Sequence, residues 1–194
     1  MNDFLDTYRR RADLFEQKVA AVTPDDWSNP SPCAEWDARA VVGHVLDMHG
    51  VVMRPLDRTL SPAPALSDDP LGAFRAARAD VEGILTDPEL AERVVDTPGG
   101  GQMTLAEHVN GVPSGDMVVH GWDLARAAGL DDTIDPLEVE HMWPGAQNIP
   151  EVMRTPNAFG PGIIVFGPEF LVPADSPIQD RLLGAMGRNP QWTP

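Results

Sequence analysis

The sequence predicts an all-α fold built on four long helices and followed by an irregular C-terminal extension. In four stretches of the chain, apolar residues recur every three or four positions, which is the spacing of one helix face. Stretches rich in Pro, Gly, Ser and Asp separate these helices and indicate loops. Hydrophobic residues make up 42% of the 194 residues, and this share is typical of a globular chain with its own core.

The first three helices follow from the apolar spacing and from the loops between them. The first is predicted over residues 3–21, the second over 37–56 with Asp37 as its N-cap, and the third over 71–85. Residues 60–70 are rich in Pro, Ser and Asp, and we expect them to form an exposed loop. The apolar face of the second helix consists of Val41, Val42, Val45, Leu46 and Met48.

The fourth helix has both a start signal and a stop signal. Thr104 and Glu107 match a capping box, in which each side chain binds the backbone N–H of the other residue. Gly129 follows the last periodic residue and is a good position for the helix to end. Pro113 and Gly115 lie inside this helix. We expect a kink or a break there, because proline removes an N–H donor and crowds the preceding turn.

The C-terminal part of the chain is predicted to extend the helical bundle. We expect the bundle over residues 1–145 and an extension over 146–194 that packs on it. The extension is rich in Pro and Gly. Its apolar run at 162–166 indicates one or two short strands, and 176–186 indicates a last helix. Before the fourth helix, the segment TPGGG at 97–101 predicts a turn or a short irregular hairpin.

The charge balance argues against several classes of partner. The formal net charge is −16, from 30 acidic and 14 basic residues. Binding DNA or RNA requires cations that neutralise phosphates, and the basic cluster is limited to Arg9, Arg10 and Arg11, so we expect no nucleic-acid partner. An anionic membrane surface is disfavoured for the same reason. No window approaches the run of about 18 uncharged apolar residues that indicates a membrane-spanning helix.

The cysteine content and the N-terminal segment indicate the compartment. The single cysteine, Cys33, excludes an internal disulfide and a cysteine-rich zinc site. A chain without disulfides suits a reducing environment. The first helix is charged along its length, unlike a signal peptide with its apolar core. We therefore expect a cytoplasmic protein, and the sequence leaves a monomer and a homodimer open.

Asp116 and His120 form the strongest local pattern for binding a metal. Residues four apart on an α-helix lie on one face a turn apart, so this carboxylate and imidazole can chelate one divalent cation. Asp123 lies on the same side, as a further ligand or as a hydrogen-bond partner that orients His120. The surrounding residues are apolar, and a polar group buried there needs a partner. A buried Asp–His hydrogen bond without metal, or a solvated pair, matches the same pattern.

The remaining histidines and the cysteine are ambiguous from the pattern alone. His44 lies in the apolar stretch VVGHVL, and a lone histidine on an apolar helix face is more often a core residue than a ligand. The same holds for His108. We expect His49 near a helix end, His141 on the surface, and a structural role for Cys33.

Three motifs follow one another in the order PCAEWD at 32–37, VVGH at 41–44 and DMVVHGWDLARA at 116–127. Together they resemble the opening motif and the acid-x-x-x-His helix of the mycothiol-dependent maleylpyruvate isomerase N-terminal-like proteins, which belong to the DinB-like superfamily. The tail resembles an uncharacterised actinobacterial branch of that family in the segments 159–161, 172–176 and 179–190.

This resemblance implies an antiparallel four-helix bundle with a divalent-metal site. Carried over by motif position, the metal ligands are His44, Asp116 and His120, and Asp123 orients a ligand. Zinc is the expected ion, with nickel, iron and manganese as alternatives. In the relatives the ion activates a low-molecular-weight thiol, so mycothiol is the implied co-substrate. A site with three protein ligands leaves a coordination position for it.

The chain departs from the pattern of this family at three points. Asp116 stands where the isomerases generally have Glu. Pro113, Ser114 and Gly115 replace apolar helical residues just before the site. The tail from about Pro144 is short and differs from the additional C-terminal domain of the isomerases. We therefore do not expect maleylpyruvate isomerisation itself.

Three functions are compatible with these observations. The first is a metal-dependent enzyme that activates a small thiol, either an S-transferase or an isomerase, in which Arg181 and Arg188 bind an acidic substrate. The second is a non-catalytic protein that binds a metal or another ligand. The third is a bundle without metal, in which His44, Asp116 and His120 form a buried hydrogen-bond network.

Overall fold

The computed structural model of the chain describes residues 3–96, 101–157 and 165–194. The chain divides into two compact units, Met1–Asp132 together with Pro194, and Thr133–Thr193. This division falls before the helix that begins at Pro136, whereas the sequence places the boundary after residue 145. The packing of the extension on the bundle stays a prediction. Within the described ranges, every helix is too short or too polar to cross a lipid bilayer.

The first unit is a four-helix bundle with a short hairpin. Helices α1, α2, α3 and α6 form the bundle: α1 and α2 each pack mainly against α3 and α6. The prediction of an all-α fold built on four long helices is confirmed. The elements of this unit are α1 (Asp3–Ala21), α2 (Ala38–Met53), α3 (Pro70–Thr86), α4 (Pro88–Ala91), β1 (Val94–Asp96), β2 (Gln102–Thr104), α5 (Leu105–Val109) and α6 (Gly115–Ala128).

Ion pairs show that α1 and α3 run in opposite directions. Arg9, near the start of α1, lies 3.2 Å from Glu82 near the end of α3. Glu16, later in α1, lies 2.8 Å from Arg75 near the start of α3. Helices α2 and α6 are also antiparallel, because Asn29 ahead of α2 donates to the Ala127 carbonyl at the end of α6, whereas the middle of α2 faces the start of α6.

Helices α1 and α6 run in the same direction. Arg11 donates to the Ser114 hydroxyl just before α6, and Lys18 donates to the Asp131 carbonyl just after it. It follows that α1 and α6 point one way while α2 and α3 point the other way. The loop of residues 57–69 is long enough to return the chain to the starting end of the bundle, as in bundles with a crossover connection.

Local capping explains where the helices of the bundle begin. Asp37 Oδ1 accepts from the Ala40 N–H at 2.7 Å, so the predicted N-cap of α2 is confirmed. The predicted capping box of Thr104 and Glu107 is present at the start of α5. Gly129 ends α6 in the left-handed conformation, with φ of 65°.

A π-helical turn at Asn110–Ser114 separates α5 from α6. The turn contains Pro113, so the expected break in the fourth predicted helix occurs at this point. Proline has no N–H to donate to the preceding α-helical turn, and a wider turn accommodates its ring. Buried Arg11 of α1 donates to the Ser114 hydroxyl at 3.0 Å and ties the turn to the bundle.

A buried polar pair lies inside the bundle core between α1 and α2. His49 Nδ1–H donates to the Val45 carbonyl at 2.7 Å, so His49 Nε2 accepts from the Tyr8 hydroxyl at 2.8 Å. Both side chains are fully buried, and His49 lies in the last two turns of α2, near the helix end as the sequence predicts. The surrounding apolar core includes Phe15, Val41, Val42, Val45, Phe74, Val81 and Leu124.

The hairpin before α5 pairs β1 with β2 in antiparallel register. Val95 lies opposite Met103, and Asp96 lies opposite Gln102. These pairs flank the segment predicted to form a turn or a short irregular hairpin. Residues 97–100 of that segment lie outside the described residues.

The second unit contains α7 (Pro136–Ala146) and α8 (Ile178–Ala185) among its described residues, and these two helices pack together. Helix α8 lies within the predicted 176–186. Arg154 donates to the Gly167 and Ala185 carbonyls and ties the intervening chain to α8. Strands are predicted at 162–166, and most of that segment lies outside the described part of the chain, which omits residues 158–164.

Arg78 of α3 binds two carboxylates of α1, Asp13 and Glu16, and one of its own helix, Glu82. Its guanidinium lies 2.7 Å from Asp13, 3.0 Å from Glu16 and 2.8 Å from Glu82. We expect Arg78→Met to lower the free energy of unfolding by about 1–2 kcal/mol in urea denaturation, because a network contributes more than the isolated surface pair of about 0–1 kcal/mol. Arg75→Met is the control, since the exposed Arg75 side chain pairs with α1 through Glu16. Equal losses in both variants would contradict this assignment.

Candidate metal centre

Helices α2 and α6 bring together three side chains that could hold a metal ion. His44 comes from the middle of α2, and Asp116 and His120 come from the first two turns of α6. One ligand atom from each residue lies within 4.8 Å of the other two. Because α2 and α6 are antiparallel neighbours, residues 72 positions apart in sequence meet across one helix–helix contact.

The spacing of the three ligand atoms suits a small divalent cation. His44 Nε2 lies 3.0 Å from Asp116 Oδ2, and His120 Nε2 lies 3.9 Å from the same oxygen. A tetrahedral zinc ion with N and O ligands at about 2.0–2.1 Å holds them about 3.3 Å apart. The side chains of His44 and Asp116 are 26% and 31% exposed, so solvent and a ligand can reach this face of the bundle.

Asp123 fixes the orientation of His120. The His120 Nδ1–H donates to Asp123 Oδ2 at 2.9 Å, and the Asp123 side chain is fully buried. With its proton on Nδ1, the imidazole presents the Nε2 lone pair to the side of Asp116 and His44. Metal-binding histidines usually donate their second ring N–H to a carboxylate in this manner. The contact supports a positioning role for Asp123 beside a ligand role for His120.

Trp36 packs over both imidazoles of the centre. Its ring centroid lies 4.8 Å from that of His44 and 5.8 Å from that of His120. A tight turn places it there: the Trp36 N–H donates to the Cys33 carbonyl, and Glu35 adopts the left-handed conformation with φ of 67°. A non-glycine residue in this region costs about 1–2 kcal/mol, which the surrounding contacts offset.

Cys33 contacts the same carboxylate oxygen of Asp123 as His120 does. The Cys33 thiol donates to Asp123 Oδ2 at 3.2 Å, so this oxygen accepts from both Cys33 and His120. Among the residues that the structure describes, Cys33, His120 and Asp123 form a second group whose ligand atoms lie within 4.8 Å of one another. No local pattern predicts this contact, because the two residues are 90 positions apart.

The first unit of the chain matches a known protein family along most of its length. Residues 8–125, more than half of the whole chain, match the model of the mycothiol maleylpyruvate isomerase N-terminal domain family. The chain belongs to this family. The matched range includes all three side chains of the candidate centre as well as Asp123 and Trp36.

Relatives of this family member include two uncharacterized proteins of Mycobacterium tuberculosis, from the strains CDC 1551/Oshkosh and ATCC 25618/H37Rv. Each is 29% identical over 195 residues, covering 96% of this chain and 98% of the relative. A crystal structure of a mutant mycothiol-dependent maleylpyruvate isomerase is 14% identical, with a TM-score of 0.49, and the match covers 74% of this chain and 68% of that one.

The remaining candidate residues are two arginines and two histidines. Arg181 stacks on Trp143, with its guanidinium carbon 4.7 Å from the ring centroid. Arg188 donates to the Met186 carbonyl at 3.0 Å. Both arginines belong to the second compact unit, and their role in binding an acidic substrate stays a prediction. His108 is buried in α5, where desolvation lowers the pKa of its imidazole, and His141 is exposed.

Proposed function

We propose that the protein binds one divalent cation, zinc first among the alternatives, through His44, Asp116 and His120. We further propose that the site activates a low-molecular-weight thiol, mycothiol, in an S-transferase or isomerase reaction. The observation that carries the proposal is the convergence of two imidazoles and one carboxylate, with His120 already oriented by Asp123. The family description, which names mycothiol, supports the choice of thiol.

The donor set of the centre suits catalysis better than a purely structural ion. Structural zinc sites have four protein ligands, whereas three protein ligands leave one position for water or substrate. A bound divalent cation supplies Lewis acidity, which lowers the pKa of a coordinated thiol and favours a nucleophilic thiolate at neutral pH. The protein's own part is to orient His120 through Asp123 and to cover the imidazoles with Trp36 on one side.

The first test is elemental analysis of the purified protein beside His120→Ala, followed by a screen of mycothiol and related thiols with electrophilic substrates. About one equivalent of zinc in the wild type, lost in the variant, together with thiol turnover, is the expected result. One equivalent of metal without turnover of any thiol would favour the alternative, a non-catalytic metal-binding bundle.

A bundle without metal is a second candidate function, because the His44 N–H to Asp116 Oδ2 contact at 3.0 Å is a complete hydrogen bond without any ion. Together with the Asp123–His120 bond, it makes a network that gives each of these four side chains a hydrogen-bond partner. Wild-type protein that contains no metal and takes up none of the four candidate ions would favour this role in structure or interaction.

Asp123→Asn tests the orientation of His120. The amide keeps the shape of the carboxylate but loses its charge, so it holds the Nδ1–H less strongly and lowers the basicity of Nε2. We expect the affinity for zinc to fall by about 10–100-fold in competition with a chromophoric chelator. The control is Asp6→Asn, an exposed residue of α1 with the same change in charge. Unchanged affinity in a folded Asp123→Asn protein would exclude the positioning role.

A further inference from the structure

One carboxylate oxygen, Asp123 Oδ2, lies between a thiol and an imidazole. It is 3.2 Å from Cys33 Sγ and 2.9 Å from His120 Nδ1. Cys33 comes from the turn before α2, and the other two residues come from the middle of α6. Asp123 and His120 are buried, whereas Cys33 is half-buried and gives this cluster a route to solvent.

The three atoms of this cluster form a ligand set different from that of the first centre. A thiolate, an imidazole and a carboxylate together are typical of sites for zinc and for softer ions such as cadmium. Zinc bonds of about 2.3 Å to sulfur and about 2.0 Å to oxygen place those two ligands about 3.5 Å apart in a tetrahedron. The observed S–O distance of 3.2 Å needs to open by only a few tenths of an ångström.

We propose that Cys33, His120 and Asp123 form a second cation site, which takes a thiophilic divalent ion and shares His120 with the first centre. Binding there releases the Cys33 thiol proton to solvent. The imidazole proton moves from Nδ1 to Nε2, so His120 stays neutral and its Nδ1 lone pair binds the ion. The thiolate and the carboxylate together balance the two positive charges.

The shared imidazole makes the two sites mutually exclusive. A neutral imidazole has one lone pair, and the ring nitrogen that carries the proton cannot bind a cation. With an ion at His44 and Asp116, His120 binds through Nε2 and keeps its Nδ1–H on Asp123. With an ion at Cys33 and Asp123, Nε2 carries the proton and the first centre loses a ligand. The competition between the two sites rests on the proposed function, whereas the second site itself does not.

Cadmium alone is a suitable probe, because its thiolate complexes have a charge-transfer band in the ultraviolet and the chain has a single cysteine. Metal-free His44→Ala, which lacks the first centre, is expected to develop this band and to saturate at one equivalent. The matched variant Cys33→Ser in the same His44→Ala background is expected to show no band. Wild-type protein is expected to bind one equivalent of cadmium in total.

Three outcomes overturn parts of this inference. A His44→Ala protein without the band would exclude the second site. Two equivalents of cadmium in the wild type would exclude the shared imidazole. If Cys33→Ser does not fold, the rate of alkylation of the Cys33 thiol in His44→Ala is measured with and without cadmium instead. An alkylation rate that cadmium does not lower would also exclude the site. The proposed function fails separately if Cys33→Ser, which keeps His44, Asp116 and His120, rejects zinc while His44→Ala still gives the band.

Discussion

Zinc added to the metal-free protein is expected to raise its melting temperature by about 5–10 °C, and His120→Ala is expected to abolish this rise. A ligand that binds only the folded state at 100 times its dissociation constant adds about 2.7 kcal/mol to stability. For a chain of this size, 1 kcal/mol corresponds to about 2–4 °C. His120 belongs to both groups of ligands, so its loss removes every cation site proposed here.

Companion variants separate the two groups of ligands in the same melting experiment. Cys33→Ser keeps His44, Asp116 and His120, and it is expected to keep the rise. His44→Ala in the Cys33→Ser background leaves neither group complete and is expected to behave like His120→Ala. His141→Ala removes an exposed histidine and serves as the control. A full zinc response in His120→Ala would show that the ion binds elsewhere.

The free energy of unfolding is expected to fall by about 3 kcal/mol between pH 6.5 and pH 4 because of one buried histidine. Burial lowers the pKa of His49 from 6.5 to about 4, against smaller raising effects of its bond to the Val45 carbonyl and of the Asp116 charge. The unfolded chain therefore binds a proton in this range that the folded chain rejects. Since each pH unit corresponds to about 1.4 kcal/mol, stability is complete above pH 6.5 and decreases as the pH falls.

His49→Gln tests this linkage in urea denaturation of metal-free protein at several pH values. Glutamine keeps a donor and an acceptor between Tyr8 and Val45 but does not titrate. We expect a lower free energy of unfolding at pH 7 and a flatter decrease between pH 6.5 and 5, a range above most carboxylate titrations. His141→Gln is expected to keep the wild-type slope, because this side chain is exposed. A wild-type slope in His49→Gln would assign the acid sensitivity to other groups.

The helix boundaries could be predicted because their signals are local. The Asp37 cap binds a backbone N–H three residues away, and the Thr104–Glu107 box also spans three residues. The prediction for the end of α2 was less accurate, since it extended the helix to residue 56. The helix stops at Met53 and a 3-10 turn continues to Leu56, because Pro55 cannot donate to the preceding turn.

The contacts of the candidate centre could not be predicted from local spacing. Only Asp116 and His120 are neighbours on one helix face. Whether His44 was a ligand or an ordinary core residue could not be decided by periodicity, and the family motif supplied its place. The partners of His49 and Cys33 lie 41 and 90 positions away. Contacts of this kind depend on which helices pack together. The spacing of residues within one helix does not show which other helix lies beside it.

The π-helical turn at Asn110–Ser114 sets the rotational phase of α6. Each residue of an α-helix advances the side-chain direction by about 100°, so adding or removing one residue in this turn would swing Asp116 and His120 together away from His44. A residue removed from the loop of residues 57–69 leaves the phase of α6 unchanged, because this loop precedes α3 and loops tolerate changes in length at small entropic cost. Deleting one residue from this turn is therefore expected to abolish zinc binding, whereas deleting one residue from the loop is expected to keep it, so the position of the whole centre depends on the length of a five-residue segment that contributes no ligand.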